Sequence, residues 1–202
     1  MFTDYWEVAD DSEIWPLMIG KSSEDDDDTR HQISVILNDI PCGNRVLEVG
    51  AGIGRLLRAV SMSGRFAESI GIDSSMSLVL SSQKYLEGRA RVDLGDGLRL
   101  PYPDDYFDFV YSFTCLQHMI SLAIIHRNLR EIRRVLAPGG LCRVQTISSA
   151  GADPRDLKTY DGRVFRDGEE FAGQFKAVGL TVMDIREGIT HPKHLWLTAR
   201  KG

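Results

Sequence analysis

The chain has 202 residues, 43% of them hydrophobic, and a formal net charge of −5. That length holds one α/β domain with a full core and leaves no room for a second of ordinary size. The hydrophobic fraction excludes a disordered chain, the lack of any apolar run of about 18 residues excludes a membrane-spanning helix, and the acidic balance argues against a nucleic-acid partner.

In chain order, Met1-Phe2-Thr3-Asp4-Tyr5-Trp6-Glu7 lacks the basic and apolar regions of a signal peptide, so a cytoplasmic protein is expected. Residues 1–28 read as an arm ahead of a domain at 29–202. Tyr5, Trp6, Ile14, Trp15, Leu17 and Met18 are apolar among acids, and they either fold over a bound ligand as a lid or dock on the core. The run Glu24-Asp25-Asp26-Asp27-Asp28 reads as a solvated loop rather than a metal site, with Asp28 or Thr29 capping the next helix.

That helix is predicted over 29–37. A strand at 45–49, a helix at 53–63 and a strand at 69–72 follow. A helix at 75–86 opens on serines able to accept from its free N–H groups. A short strand at 90–94, a strand at 107–112, a helix at 122–136 and a strand at 141–146 come next. Arg127, Arg130, Arg133 and Arg134 lie opposite Leu122, Ile125, Leu129, Ile132 and Leu136 on the 122–136 helix, which predicts a solvated basic face. After a polar stretch at 148–167 come a helix at 168–178 and strands at 180–186 and 194–200, separated by seven residues. So short a connection suits an antiparallel hairpin and excludes a helical crossover. The expected fold is α/β: a single-domain, doubly wound, Rossmann-like seven-stranded sheet with an antiparallel last strand. Cys42, Cys115 and Cys142 are odd in number and widely spaced, which suits reduced packing residues.

The stretch Val46-Leu47-Glu48-Val49-Gly50-Ala51-Gly52-Ile53-Gly54 is a buried strand turning sharply into a helix, with glycines where a ligand approaches the backbone. Asp73 follows Gly54 by nineteen residues, at the end of the second strand, where a carboxylate can accept from ribose hydroxyls. An adenosine-containing cofactor is implied. The spacing is G-x-G-x-G rather than G-x-G-x-x-G, and Glu48 would repel a pyrophosphate while tolerating an ammonium or sulfonium.

These residues, with Gly71-Ile72-Asp73-Ser74-Ser75-Met76, Gly95-Asp96-Gly97, Leu100-Pro101-Tyr102-Pro103-Asp104, Phe107-Asp108 and Leu136-Ala137-Pro138-Gly139-Gly140, resemble the class I S-adenosylmethionine-dependent methyltransferases, in particular the small-molecule, ubiquinone-biosynthesis-like branch. The resemblance implies S-adenosyl-L-methionine as cofactor, S-adenosyl-L-homocysteine as product and a small-molecule acceptor methylated at oxygen, nitrogen or carbon. It implies cofactor contacts at Glu48, Gly50, Ala51, Gly52, Asp73, Ser74, Met76, Asp96, Gly97, Leu98 and Ser112. Glu48 would hold the methionine ammonium, Gly50 and Gly52 would approach the methionine portion, Asp73 would take both ribose hydroxyls, and Ser112 would lie by the methionine tail. Met76 would pack on adenine, or else in the core; Asp96 would accept from the exocyclic amine, or else serve only as a turn residue.

His118, in Cys115-Leu116-Gln117-His118-Met119 after the fourth strand, is the best candidate general base, the other reading being a pocket-lining or capping histidine. His191, His194 and Tyr160 are weaker candidates. Ser112-Phe113-Thr114-Cys115 stands where methylases of exocyclic base amines or glutamine amides carry Asn/Asp-Pro-Pro-Tyr/Phe, which argues against such acceptors. Two alternatives remain at this stage. A short nicotinamide-dependent oxidoreductase would explain the glycines and Asp73 but lacks a Tyr-x-x-x-Lys pair, and a methyltransferase-like domain could bind cofactor or partner without turnover. Oligomeric state is not legible.

Overall fold

Alternating apolar runs and glycine turns place strands and helices in the predicted order. The computed structural model of the chain describes residues 27–119, 121–149 and 165–202. Its elements are α1 (Asp27–Leu37), β1 (Gly43–Val49), α2 (Arg55–Met62), β2 (Phe66–Asp73), α3 (Met76–Leu86), β3 (Arg91–Leu94), β4 (Phe107–Ser112), α4 (Leu122–Val135), β5 (Leu136–Ile147), α5 (Gly168–Ala177), β6 (Leu180–Glu187) and β7 (His194–Lys201). The strands form a seven-stranded sheet in the order β3-β2-β1-β4-β5-β7-β6. The chain divides into two compact units, Met1–Gly97 and Leu98–Gly202.

In the first unit β1, β2 and β3 run parallel, with Glu48 opposite Gly71 and Asp73 opposite Leu94. Ala51, Leu57, Val79, Leu86 and Val92 make a buried cluster between the helices and these strands. Gly71 is required there: a Cβ on it would lie 2.6 Å from the Ala51 Cβ. Helix α3 starts where the sequence placed its cap, the Ser75 hydroxyl accepting from the Leu78 N–H at 3.3 Å, and it ends on Glu87 and Gly88, both at positive φ. Helix α1 already includes Asp27, the first described residue, so Asp28 and Thr29 lie inside the helix and neither is its cap. Asp27 instead pairs with Arg30 one turn on.

In the second unit β4 and β5 are parallel, and β7 lies antiparallel to both β5 and β6. The antiparallel β6–β7 pair is what the short connection between them required, and β7 is inserted between β5 and β6 as the family resemblance implied. Strand β5 starts at Leu136, earlier than the sequence indicated. Phe107 pairs with Leu136 and Phe109 with Leu141, so Ala137-Pro138-Gly139-Gly140 bulges out of the ladder. Proline cannot donate to the ladder, Gly139 sits at φ +77, and a Cβ on Gly140 would lie 2.8 Å from the Ala137 carbonyl oxygen.

Helix α4 buries Ile125, Leu129 and Ile132 fully, and Ser121 caps it by accepting from the Ile124 N–H. Its arginines are not a merely solvated face. Arg134 donates to the Tyr102 and Leu100 carbonyls and to Asp104, each at 2.8 Å, while Glu131 accepts from it at 2.7 Å and from the Leu100 N–H at 2.9 Å. Arg133 donates to the Gly179 carbonyl and Arg127 to that of Leu98. The stretch Leu100–Asp104 is thereby stapled to α4, which gives this sequence block a structural reason to exist.

Of the cysteines, Cys142 is buried and its thiol is pushed up to about 12 by burial, Cys115 is half-buried, and Cys42 is exposed and so is not a packing residue. Among the described residues no helix is long and apolar enough to cross a membrane. The apolar arm residues before Asp27, and Tyr160 with its neighbours at 150–164, lie outside the described residues.

Candidate functional site

The turn after β1 is built almost entirely from backbone. Gly50, Gly52 and Gly54 sit at φ +76, +56 and +84, a region that disfavours side chains, so the turn shows bare amides and Cα atoms. The Gly50 and Ala51 N–H groups both donate to the Ile72 carbonyl, at 2.9 and 3.1 Å, and the Gly52 N–H donates to the Asp73 carboxylate at 2.8 Å. The second Asp73 oxygen accepts from the Ser75 N–H at 3.0 Å, at the start of α3. One carboxylate thus joins the glycine turn, the end of β2 and a helix N-terminus.

Burial raises the Asp73 pKa, and the N–H groups of Ser75, Gly52 and Ser74 oppose that rise. Glu48, two residues before the turn, is only 3% exposed. On the other side of Asp73 the Gly95 N–H donates to its carbonyl at 2.8 Å, holding the end of β3 in place. Asp96 and Gly97 follow, both exposed, with Gly97 at φ +71. Met76 opens α3 with 48% of its surface exposed, which excludes the core-packing reading for it. The structure therefore gathers Gly50, Ala51, Gly52, Asp73, Ser74 and Met76 around one turn.

In the second unit Ser112 ends β4 fully buried, in register with Val144 of β5. The chain then turns on Thr114 at φ +51, whose N–H donates to the Gln145 side-chain oxygen at 2.8 Å. A single 3-10 turn, Leu116–His118, follows. His118 is half-buried, and burial lowers its pKa, so the imidazole is neutral and able to accept a proton near neutrality. Leu98 lies at the start of this unit, its carbonyl held by Arg127.

Two features escaped the sequence. Gln145 is a β-strand residue whose side chain fixes the segment after β4, and nothing in its neighbours signals that. Thr190, His194 and Trp196 form a second cluster: the Thr190 hydroxyl lies 2.7 Å from His194 Nδ1 and accepts from Trp196 Nε1 at 2.8 Å, while Phe113 stacks on Trp196 with centroids 5.6 Å apart. Burial and the neighbouring His191 push His194 down to about 4. Only the histidines of this cluster were marked by composition.

A parallel sheet with a glycine turn after β1, an acid ending β2 and an antiparallel strand inserted next to the edge defines the methyltransferase type of Rossmann-like fold rather than the all-parallel dinucleotide type. Residues 47–144 match the methyltransferase domain family. The chain is similar to the methyltransferase GfsG of Streptomyces halstedii, 31% identical over 160 residues, covering 75% of this chain and 54% of that protein. It is also similar to the ubiquinone/menaquinone biosynthesis C-methyltransferase UbiE of Ectopseudomonas mendocina, 30% identical over 138 residues, covering 64% and 52%. The chain thus spans about half the length of these curated relatives. Among solved structures, the fold matches a SAM-dependent methyltransferase from Aquifex aeolicus with a TM-score of 0.71 at 17% identity, over 96% of this chain and 100% of that one. The chain is thus similar to methyltransferase domains over residues 47–144 and shares the fold of a methyltransferase.

Proposed function

We propose that the protein transfers a methyl group from S-adenosyl-L-methionine to a small-molecule acceptor by in-line displacement, releasing S-adenosyl-L-homocysteine. The observation that carries this reading is the Asp73 carboxylate, held at the end of β2 by the Gly52 and Ser75 amides beside a turn stripped of side chains. That arrangement fits a ribose diol over the carboxylate and a methionine chain along the bare backbone. The buried Glu48 carboxylate fits an ammonium, and the exposed Met76 fits a flat adenine face.

In this reading Asp73 accepts from the ribose hydroxyls, Glu48 holds the methionine ammonium, and Gly50, Ala51 and Gly52 line the methionine portion. Ser74 and Met76 border the nucleoside, Asp96 accepts from the adenine amine, Gly97 and Leu98 close the ring's edge, and Ser112 lies by the methionine tail. When bound, the cofactor supplies a sulfonium-activated methyl group, so the protein's main task is alignment. Holding an acceptor atom on the displacement axis makes the encounter effectively unimolecular, worth several kcal/mol. His118, neutral and half-buried, takes the acceptor's proton where one must leave. The protein acts in the cytoplasm. Likeness to UbiE stands beside equal likeness to GfsG, so it supports the small-molecule branch without choosing its acceptor.

Calorimetry and thermal melts test this. S-adenosylhomocysteine at one hundred times its Kd should stabilise the fold by about 2.7 kcal/mol, a rise on the order of 5–10 °C, while NAD and NADP leave the melt unchanged. No heat with either S-adenosylmethionine or S-adenosylhomocysteine would overturn the reading.

A further inference from the structure

The segment after β4 carries a group that the reading above leaves unused. Gln117, in the 3-10 turn beside His118, is only 6% exposed, and its side-chain oxygen is buried without a hydrogen-bond partner. The turn packs on β5, where the Thr146 hydroxyl is likewise buried and unpartnered. Buried polar atoms are almost always paired, and leaving one unpaired is unfavourable, so two on elements packed together mark a place where a ligand or water completes the structure. Gln145, next to Thr146, is engaged by the Thr114 N–H, so it does not fill this need. The third such atom among the described residues, Arg58 Nε, belongs to a guanidinium that lies over the Tyr85 ring, 5.5 Å from its centroid.

Resting on the methyltransferase reading, we infer that Gln117 binds the acceptor, its amide oxygen accepting a hydrogen bond from the acceptor's own O–H or N–H, so that the substrate class is a neutral hydroxyl or amine rather than a carbon nucleophile. The unpartnered amide oxygen is a hydrogen-bond acceptor, and a nucleophile that carries its own hydrogen satisfies it where an alkene or aryl carbon does not. The methyl–sulfur bond breaks with its electron pair kept on the sulfur, which becomes a thioether. The new bond forms from a lone pair of the acceptor oxygen or nitrogen, and the displaced proton passes to His118 and then to solvent. Gln117 orients the nucleophile and exchanges no proton.

The test uses the full chain saturated with S-adenosylhomocysteine and three probes of one skeleton: phenol, aniline and anisole. The side-chain amide resonance of Gln117 is assigned from its loss in Q117M, a substitution that keeps volume and removes the acceptor. Phenol or aniline should shift that resonance saturably and anisole should not. Q117M should weaken the donor probe at least ~10-fold while leaving anisole and S-adenosylhomocysteine affinity unchanged, and should not lower the melting temperature. A phenol response without an aniline response assigns a hydroxyl acceptor, and the reverse an amine. No dependence on a donor hydrogen, including no binding by any probe, or a fall in melting temperature of Q117M with unchanged probe affinities, overturns the inference in favour of a structural residue bridged by water. Failure of S-adenosylhomocysteine to bind the wild-type chain is a separate result that overturns the methyltransferase reading itself.

Discussion

The Gly52 amide donates to the Asp73 carboxylate at 2.8 Å, joining the glycine turn after β1 to the end of β2 across twenty-one positions of sequence. The same carboxylate accepts from Ser75 at the start of α3. Structural support and the proposed ribose contact therefore share one side chain. Asp73→Asn keeps one acceptor oxygen and so holds Gly52 or Ser75 but not both. The fold should survive while S-adenosylhomocysteine affinity, read by calorimetry, falls at least ~10-fold. Asp73→Ala removes both bonds at an added cost of about 1–3 kcal/mol for each amide that water does not reach, read as a lower melting temperature. Unchanged affinity in Asp73→Asn would remove Asp73 from the cofactor site.

Glycines of this chain are not equivalent. Gly71→Ala puts a methyl 2.6 Å from the Ala51 Cβ in the first unit's core, and overpacking of this kind costs about 1–3 kcal/mol. Gly173, in α5, has nothing within 4 Å of the added methyl and an ordinary helical φ. Gly173→Ala should stabilise by about 0.5–1 kcal/mol through helix propensity. Urea unfolding of the two variants should move in opposite directions.

Arg134 is the staple of the second unit. Its guanidinium reaches Glu131, Asp104 and two carbonyls at once, and the Glu131 carboxyl is held below its usual range chiefly by that hydrogen-bonded arginine. Lysine cannot reproduce the planar fork. Arg134→Lys should lose on the order of 1–3 kcal/mol in urea unfolding, whereas Arg130→Ala, on the exposed face, should stay within about 0.5 kcal/mol.

His194 sets an acid limit on stability. Burial first, and His191 second, push its pKa down to about 4 from an ordinary 6.5. The unfolded chain therefore binds the proton more readily, so this contribution is fully present above about 6.5 and is lost as the pH falls through 6.5 towards 4. His194→Gln should flatten the stability–pH curve in that window. In the intact protein the His194 ring resonance should titrate near 4 by NMR; an ordinary midpoint would sink the account.

His118 follows the same sign. Its pKa is lowered by burial, so as a general base it should be active down to a pH below that of an ordinary histidine. In the methyl-transfer assay kcat/KM should rise with pH through an inflection below 6.5 that disappears in His118→Ala. A profile that keeps the inflection in that variant would assign the base elsewhere.

Much of this was legible because it is local. The helix start at Ser75, the extent of β4 and the turn glycines each follow from a few adjacent residues whose propensity, capping chemistry or lack of a side chain admits few alternatives. Misreadings had local causes too. The Pro138-Gly139-Gly140 run hid a strand that resumes across a bulge, and the acidic run concealed that its last residues, Asp27 and Asp28, are already helical.

By itself, then, the sequence determined the order of strands and helices, the antiparallel pairing of β6 with β7 and the pairing of a bare turn with an acid at the end of β2, since period, turn length and residue type act over short range. Only the tertiary structure decided that Arg134 staples Leu100–Asp104, that Gln145 fixes the segment after β4, and that Gln117 is buried without a partner. Those facts depend on which distant backbone groups a side chain meets, and on which it fails to meet, and no window of sequence contains that information.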